Sequence, residues 1–160
     1  MHEVRTRRAT PADVGALHEV ARSAYQPYVE TIGVRPAPLD ADYSEAVSDP
    51  RHEVWVAEAS SAVVGLLVLV LHGDHLLVEN VAVAPPAQGS GIGTDLLDLA
   101  ERRALEQGLD EVRLFTHQKM TRNIALYTAR GYRETSREMD DGFHRVFLTK
   151  HLDGTEGAVR

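Results

Sequence analysis

Cysteine is absent from the 160-residue chain, which excludes a disulfide framework, a thiolate zinc site and a cysteine nucleophile. Long apolar runs are missing too. The longest, AVVGLLVLVL from Ala62 to Leu71, falls well short of the ~18 residues of a membrane span and reads as a buried strand. There is no basic excess: 17 Lys and Arg against 24 Asp and Glu give a formal net charge of -7. That balance argues against sequence-independent binding to nucleic acid, which needs a cationic face for phosphates. It leaves room for an acidic channel that draws in amines. The eight histidines show no metal-ligand spacing such as H-E-x-x-H, so no metal is expected. MHEVRTRRATPAD at the N-terminus has basic residues but no apolar core behind them, so no secretory signal is read and a cytoplasmic location is expected. What remains is the pattern of one domain over residues 1–152, with a flexible tail at 153–160.

Hydropathy periods give the element order β-α-α-β-β-β-α-β-α-β-β. Residues 3–8 suit a short strand. Thr10-Pro11-Ala12-Asp13 starts a helix, with Thr10 as N-cap and proline at the first helical position. Val14, Leu17, His18, Ala21 and Tyr25 continue it at helical spacing. The following stretch, YQPYVETIGVRPAPLDADYSEAV, has broken periodicity and reads as a binding loop with a short helix near 41–47. Residues 53–59, 62–71 and 75–83 form an antiparallel meander, turning at Ser60-Ser61 and Gly73-Asp74. A helix over 91–107 carries Leu96, Leu97, Ala100, Ala104 and Leu105 on one stripe and stops at Gly108. A strand at 111–116, a helix at 121–130 ending at Gly131, and two strands at 132–139 and 143–149 complete the chain. The last turn falls at Asp141-Gly142.

QGSGIGT, residues 88–94, lies between a strand and a helix, where backbone amides converge on an anion. Glycine lets a phosphate approach those amides with no Cβ in the way. A P-loop requires lysine and then Ser or Thr after the last glycine, whereas Thr94 and Asp95 follow here. A dinucleotide fingerprint requires glycine at position 94 and a parallel βαβ unit, which the meander opposes. As a bare pattern the loop reads equally as an ordinary tight turn.

Taken together, the element order, VAVAPPAQGSGIGTDLL and NIALYTARGY at 123–132 resemble the GNAT superfamily of N-acetyltransferases over roughly residues 3–150. Gln88, Gly91 and Gly93 match that family's pyrophosphate loop, Q/R-x-x-G-x-G/A. The second stretch matches its helix carrying Leu-Tyr followed by Gly-Phe/Tyr. The resemblance implies an α/β (α+β) fold with a mixed, mostly antiparallel seven-stranded sheet and flanking helices. The sheet splays between strands 4 and 5, with acetyl-CoA in the gap. The backbone of Val81 and Val83 would pair with pantetheine as another strand does. Amides of Gln88, Gly89, Ser90, Gly91, Ile92, Gly93 and Thr94 would hold the pyrophosphate. The implied reaction is direct acetyl transfer to a primary amine of a small molecule or exposed peptide. An acyl-CoA-binding sensor or partner-binding domain without turnover is the alternative. Homodimers are common in the family, and the strands at 132–149 offer edges for pairing.

Three jobs follow from direct transfer: taking a proton from the ammonium, stabilising the oxyanion and protonating the sulfur. Tyr127 matches the family's general acid; its other reading is a packed tyrosine that anchors CoA. A main-chain N–H of Val83 or its neighbour is the oxyanion donor. Glu79 is the base candidate. On an undisturbed strand it shares a face with Val81 and Val83, and partial burial would raise its pKa toward a base's range. A bulge there would re-aim it, and it reads equally as a structural glutamate. Asn80 alternates to the opposite face and is the weaker candidate. Asn123, one helical turn before Tyr127, either bonds pantetheine or caps the helix; Met120 replaces the family's frequent asparagine. His117 either lines the acceptor site, relays a proton, or is a solvated loop residue. Tyr25, Tyr28 and Glu30 lie where the family places its acceptor-covering loop; two aromatics with a carboxylate suit a cation, while packing against the first helix is the simpler reading of Tyr25.

Overall fold

A computed structural model describes residues 4–33, 35–140 and 143–152 of the chain. The expected turn at 141–142, residue 3 of the first strand and the tail at 153–160 lie outside these residues. Strands β1 (Val4–Arg8), β2 (His52–Ala59), β3 (Ala62–Leu71), β4 (Leu76–Val83), β5 (Glu111–His117), β6 (Arg133–Asp140) and β7 (Phe143–His151) form one sheet. Its order is β1-β2-β3-β4-β5-β7-β6. Among the described residues only β4 and β5 pair in parallel; the other neighbours are antiparallel. The helices are α1 (Val14–Tyr25), α2 (Val29–Ile32), α3 (Tyr43–Ser48), α4 (Ile92–Glu106) and α5 (Thr121–Ala129). Among the described residues no helix is long and apolar enough to cross a membrane.

Strand alternation feeds two cores, one on each face of the sheet. Leu67, Leu69, Leu76 and Val78 pack with Leu96, Leu97 and Ala100 of α4. Leu66, Val68 and Ala82 face the other way, onto α1 and α3. Each fully buried Leu or Val contributes about 1.5–3 kcal/mol relative to exposure. Gly65 of β3 lets α4 approach closely: a Cβ there would lie only 3.2 Å from Ile92 Cγ2 and 3.3 Å from Leu96 Cδ1. The N-terminal turn of α4 is thereby pressed onto the middle of the sheet. Leu105, expected on the buried stripe, is instead 44% exposed, while Ile92 and Leu99 are buried.

Two irregularities of β4 position the site. Pairing with β5 runs only over Leu76↔Val112, Leu77↔Arg113 and Val78↔Leu114, so the strands part from Glu79 onward and the sheet splays there. Against β3, Val68 opposes Asn80 but Leu69 opposes Val78. Glu79 is therefore the extra residue of a bulge.

Elsewhere the structure refines the sequence reading. The stretch expected to be irregular holds α2, ended by Gly33 in the left-handed region at φ 87°. A 3-10 turn at Pro11–Asp13 precedes α1. Asp13 accepts the Thr10 N–H at 2.7 Å and bonds Arg7 Nη1 at 2.8 Å. The Arg7 guanidinium pulls the Asp13 carboxyl down to about 2. Of the last two strands only β6 is an edge; β7 is enclosed between β5 and β6.

Candidate active site

After β4 the chain turns through Pro85–Ala87 and enters α4 by way of Gln88–Gly91. Gly89 and Gly91 adopt φ 85° and 90°, which L side chains rarely tolerate. The first intrahelical bond runs from Asp95 N–H to Gly91 O at 2.9 Å. The N–H groups of Ile92, Gly93 and Thr94 lie ahead of it and have no helical acceptor. With the helix dipole behind them they form a cradle for an anion. Gln88 departs from the expected arrangement. Its own N–H is turned to Pro85 O at 3.2 Å, and its Nε2 donates to Val83 O at 2.8 Å. The Ser90 hydroxyl bonds back to Ala87 O.

Beyond the bulge, β4 offers an open edge to the gap. Antiparallel ladders bond alternate residues, and Ala84 N–H donates to Val64 O of the β3 side at 2.8 Å. Ala82 and Asn80 share that parity, so the N–H and C=O groups of Val81 and Val83 project away from β3. Val81 O accepts from Tyr25 Oη at 3.2 Å and Val83 O from Gln88 Nε2. The two N–H groups are thus the open half of the edge. A cleft lined by Tyr28, Val81, Val83, the glycine loop, Asn123 and Tyr127 runs along it. These amides, the glycine cradle and the apolar walls fit an extended chain ending in phosphates.

Beside the cleft lies a second chamber, sharing Tyr25, Val81, Met120, Asn123 and Tyr127 with it and adding Glu79, His117 and Arg145. Glu79 and Tyr127 therefore face one cavity from opposite sides of the splay. Tyr127 is buried, and burial pushes its phenol up to about 12, which keeps it protonated and a donor throughout the neutral range. Glu79 does not share a face with Val81 and Val83. The bulge turns it out, and instead of being partly buried its side chain is 46% exposed, with Oε1 3.7 Å from His52 Nε2. His52 Nδ1 is in turn 3.0 Å from Asp49 Oδ2.

The remaining candidates separate. Tyr25 Oη donates to Asn80 Oδ1 at 2.7 Å, and Asn80 Nδ2 donates to Tyr43 Oη at 2.9 Å. Asn80 is thus the buried centre of a polar chain. His117 is the last residue of β5 and buried, not a solvated loop residue. Its Nδ1 accepts the Lys119 N–H at 3.1 Å, and burial lowers its pKa. Tyr28 lines the cleft rather than the chamber, and exposed Glu30 lines neither. Asn123 does not cap α5, whose N-cap is Met120; it lines both cavities.

Sequence reasoning passed over His52, Tyr43 and Arg145. In FHRVFLTKH, Val146 and Leu148 belong to the α4-side core, so alternation alone sends Arg145 and Phe147 to the other face. That signal was present. Nothing local pairs His52 with Glu79, which depends on the β3–β4 bulge.

Residues 16–132 match the model of the acetyltransferase (GNAT) family. A mycothiol acetyltransferase from Jonesia denitrificans is 32% identical over 94 residues, which are 58% of this chain and 30% of that protein. The match thus spans under a third of that relative's length. The PaiA N-acetyltransferase from Thermoplasma acidophilum, solved in complex with coenzyme A, superposes with a TM-score of 0.79 at 20% identity, covering 94% of this chain and 99% of its own. A GNAT acetyltransferase from Elizabethkingia anophelis with acetyl-CoA bound gives 0.67 at 20% identity, with coverages of 93% and 98%. The family model spans most of the chain, and the splayed sheet and glycine cradle agree with it: the chain belongs to the acetyltransferase (GNAT) family.

Proposed function

We propose that the chain is an acetyl-CoA-dependent N-acetyltransferase whose acceptor is a primary amine of a small molecule. The observation that carries this reading is the single cavity lined by both Glu79 and Tyr127, opening into the cleft with the glycine cradle. Ile32, Pro36, Ala37 and Pro38 close over the chamber. Such a roof suits a compact amine better than a polypeptide.

Bound acetyl-CoA supplies a thioester carbonyl. The N–H groups of Ile92, Gly93 and Thr94 hold its phosphates, and those of Val81 and Val83 align the extended portion and receive the charge that grows on the carbonyl oxygen. Glu79 takes a proton from the incoming ammonium, freeing the nitrogen lone pair. As the new C–N bond forms the nitrogen gives up its second proton to solvent, and as the C–S bond breaks Tyr127 Oη gives its proton to the departing sulfur and recovers one from solvent.

The test is incubation with acetyl-CoA and pooled primary amines, following free CoA and identifying acetylated products by mass, with Tyr127→Phe alongside. Acetylated amine that falls sharply in the variant is the expected result. CoA release without acetylated product, or binding without release, overturns it in favour of hydrolysis or of a sensor.

A further inference from the structure

Helix α5 carries Tyr127, yet its own packing does little to fix it. Tyr127 is its one buried side chain, whereas α4 buries six. The helix is anchored at its C-terminal end instead. Arg130, its C-cap, sends Nη2 to Asp98 Oδ1 at 2.6 Å and to Glu101 Oε2 at 3.2 Å, both on α4. Two residues on, the Tyr132 hydroxyl donates to the same Glu101 oxygen at 3.0 Å. Lys150 Nζ of β7 donates to Glu101 Oε1 at 2.9 Å. One carboxylate thus gathers the end of α5, the residue after its glycine stop, and β7. Glu101 and Arg130 are 15% and 16% exposed, so water and salt screen this pair less than a surface one.

Tyr132 carries the anchor to Tyr127. Its N–H donates to Tyr127 O at 3.0 Å, and the two rings meet edge to face with centroids 6.1 Å apart. Burial and the neighbouring Glu101 carboxylate push the Tyr132 phenol up, so its hydrogen stays on the bond to Glu101. Glu101 itself lines neither cavity. We propose that Glu101 is a positioning residue, which sets where the Tyr127 hydroxyl stands by holding Arg130 and Tyr132. This rests on the transferase reading above, in which Tyr127 protonates the departing sulfur. Glu101 moves no proton and touches no substrate.

The experiment is a double-mutant cycle on kcat, with Glu101→Gln made in wild type and in Tyr127→Phe. Glutamine keeps the shape of the side chain and removes its charge. Arg130 retains Asp98 in that variant, and melting temperature shows that it is folded. In the wild-type background kcat falls by about 10- to 100-fold, the cost of misplacing a reacting group by up to ~1 Å. Acetyl-CoA affinity stays close to wild type, because the α4 amides and the β4 edge are untouched. In Tyr127→Phe the same change costs little more, since no hydroxyl is left to place. Tyr132→Phe, which keeps the ring and loses one bond, gives a smaller loss with the same dependence on Tyr127. Hydrogen exchange of the amides in 121–132 reads the anchor without turnover and is faster in Glu101→Gln. Wild-type kcat in folded Glu101→Gln, unchanged exchange, or equal losses in both backgrounds overturns the proposal and leaves the transferase reading standing. An unchanged kcat in Tyr127→Phe, or no acetylation of any amine by the wild type, fails both.

Discussion

The two halves of the cleft are built from different material. On the side proposed for the cofactor the groups on offer are main chain: the first amides of α4, the exposed N–H edge of β4, and glycines whose positive φ turns the loop. On the side proposed for the acceptor they are side chains drawn from β4, β5 and β7, Glu79, His117 and Arg145 among them. Backbone contacts depend on the path of the chain and survive most substitutions. Side-chain contacts change with one residue. A fold that keeps its cosubstrate while its acceptor varies can place the first kind of contact on one side and the second on the other.

Tyr127 stands at the seam between the halves, lining both cavities, and removing its hydroxyl has the largest expected effect. Tyr127→Phe lowers kcat by roughly 10²–10⁴-fold, the usual range for a lost general acid. Phenylalanine fills the same buried volume, so acetyl-CoA affinity and melting temperature stay close to wild type. A drop in acetyl-CoA affinity with kcat intact would move Tyr127 wholly into the cofactor half.

Asn80 tests whether the acceptor half also bears stability. Its amide joins Tyr25 and Tyr43 inside the protein, and Asn80→Leu deprives both hydroxyls of a partner. Tyr43 keeps Pro38 O at 2.8 Å and Tyr25 keeps Val81 O. Stability measured by urea unfolding should therefore fall by about 1–3 kcal/mol rather than collapse. An unchanged midpoint would mean that the polar chain serves the acceptor alone.

How much of each half was legible in the sequence follows from the same contrast. Gly89 and Gly91 stand where the loop turns at positive φ, which only glycine tolerates cheaply, but the bare pattern fits an ordinary tight turn equally, and it was the element order with the stretch at 123–132 that singled the loop out. The meander was legible from alternation, and even the Ser60-Ser61 turn was, although both serines sit at positive φ, 53° and 66°. The bulge at Glu79 was not. An extra residue in a ladder is a relation between two strands, and LLVENVAV alone, with Glu79 and Asn80 side by side, does not fix its register against β3. Helix α2, a single turn within Val29–Ile32, is too short to show a period. His52 and Arg145 lie 27 residues before and 66 after Glu79 in the chain, and only the sheet order brings them near it.

Gly91→Ala separates the halves from the cofactor side. No atom would crowd the new Cβ, so the cost is confined to the left-handed backbone, about 1–2 kcal/mol. Titration should find acetyl-CoA bound up to about tenfold more weakly, while relative rates among acceptors hold. A changed acceptor ranking would show the halves to be coupled through the loop.

The smallest effect belongs to His117, and it appears in stability against pH. Burial is the first cause of its lowered pKa, with His144 and Lys119 adding repulsion, so the folded state prefers the neutral ring more than the unfolded chain does. The contribution is complete above the unfolded value of about 6.5 and is lost as pH falls below it through the folded pKa. His72 is shifted the same way by burial and by His75, so the wild-type slope alone cannot isolate His117. The difference between wild type and His117→Gln, followed by thermal melting from pH 7.5 to pH 5, can. The glutamine variant should lose less stability than wild type over that interval, because nothing at position 117 then gains a proton. Parallel curves would mean that the ring accepts its proton without cost, in which case Nδ1 is not committed to the Lys119 amide.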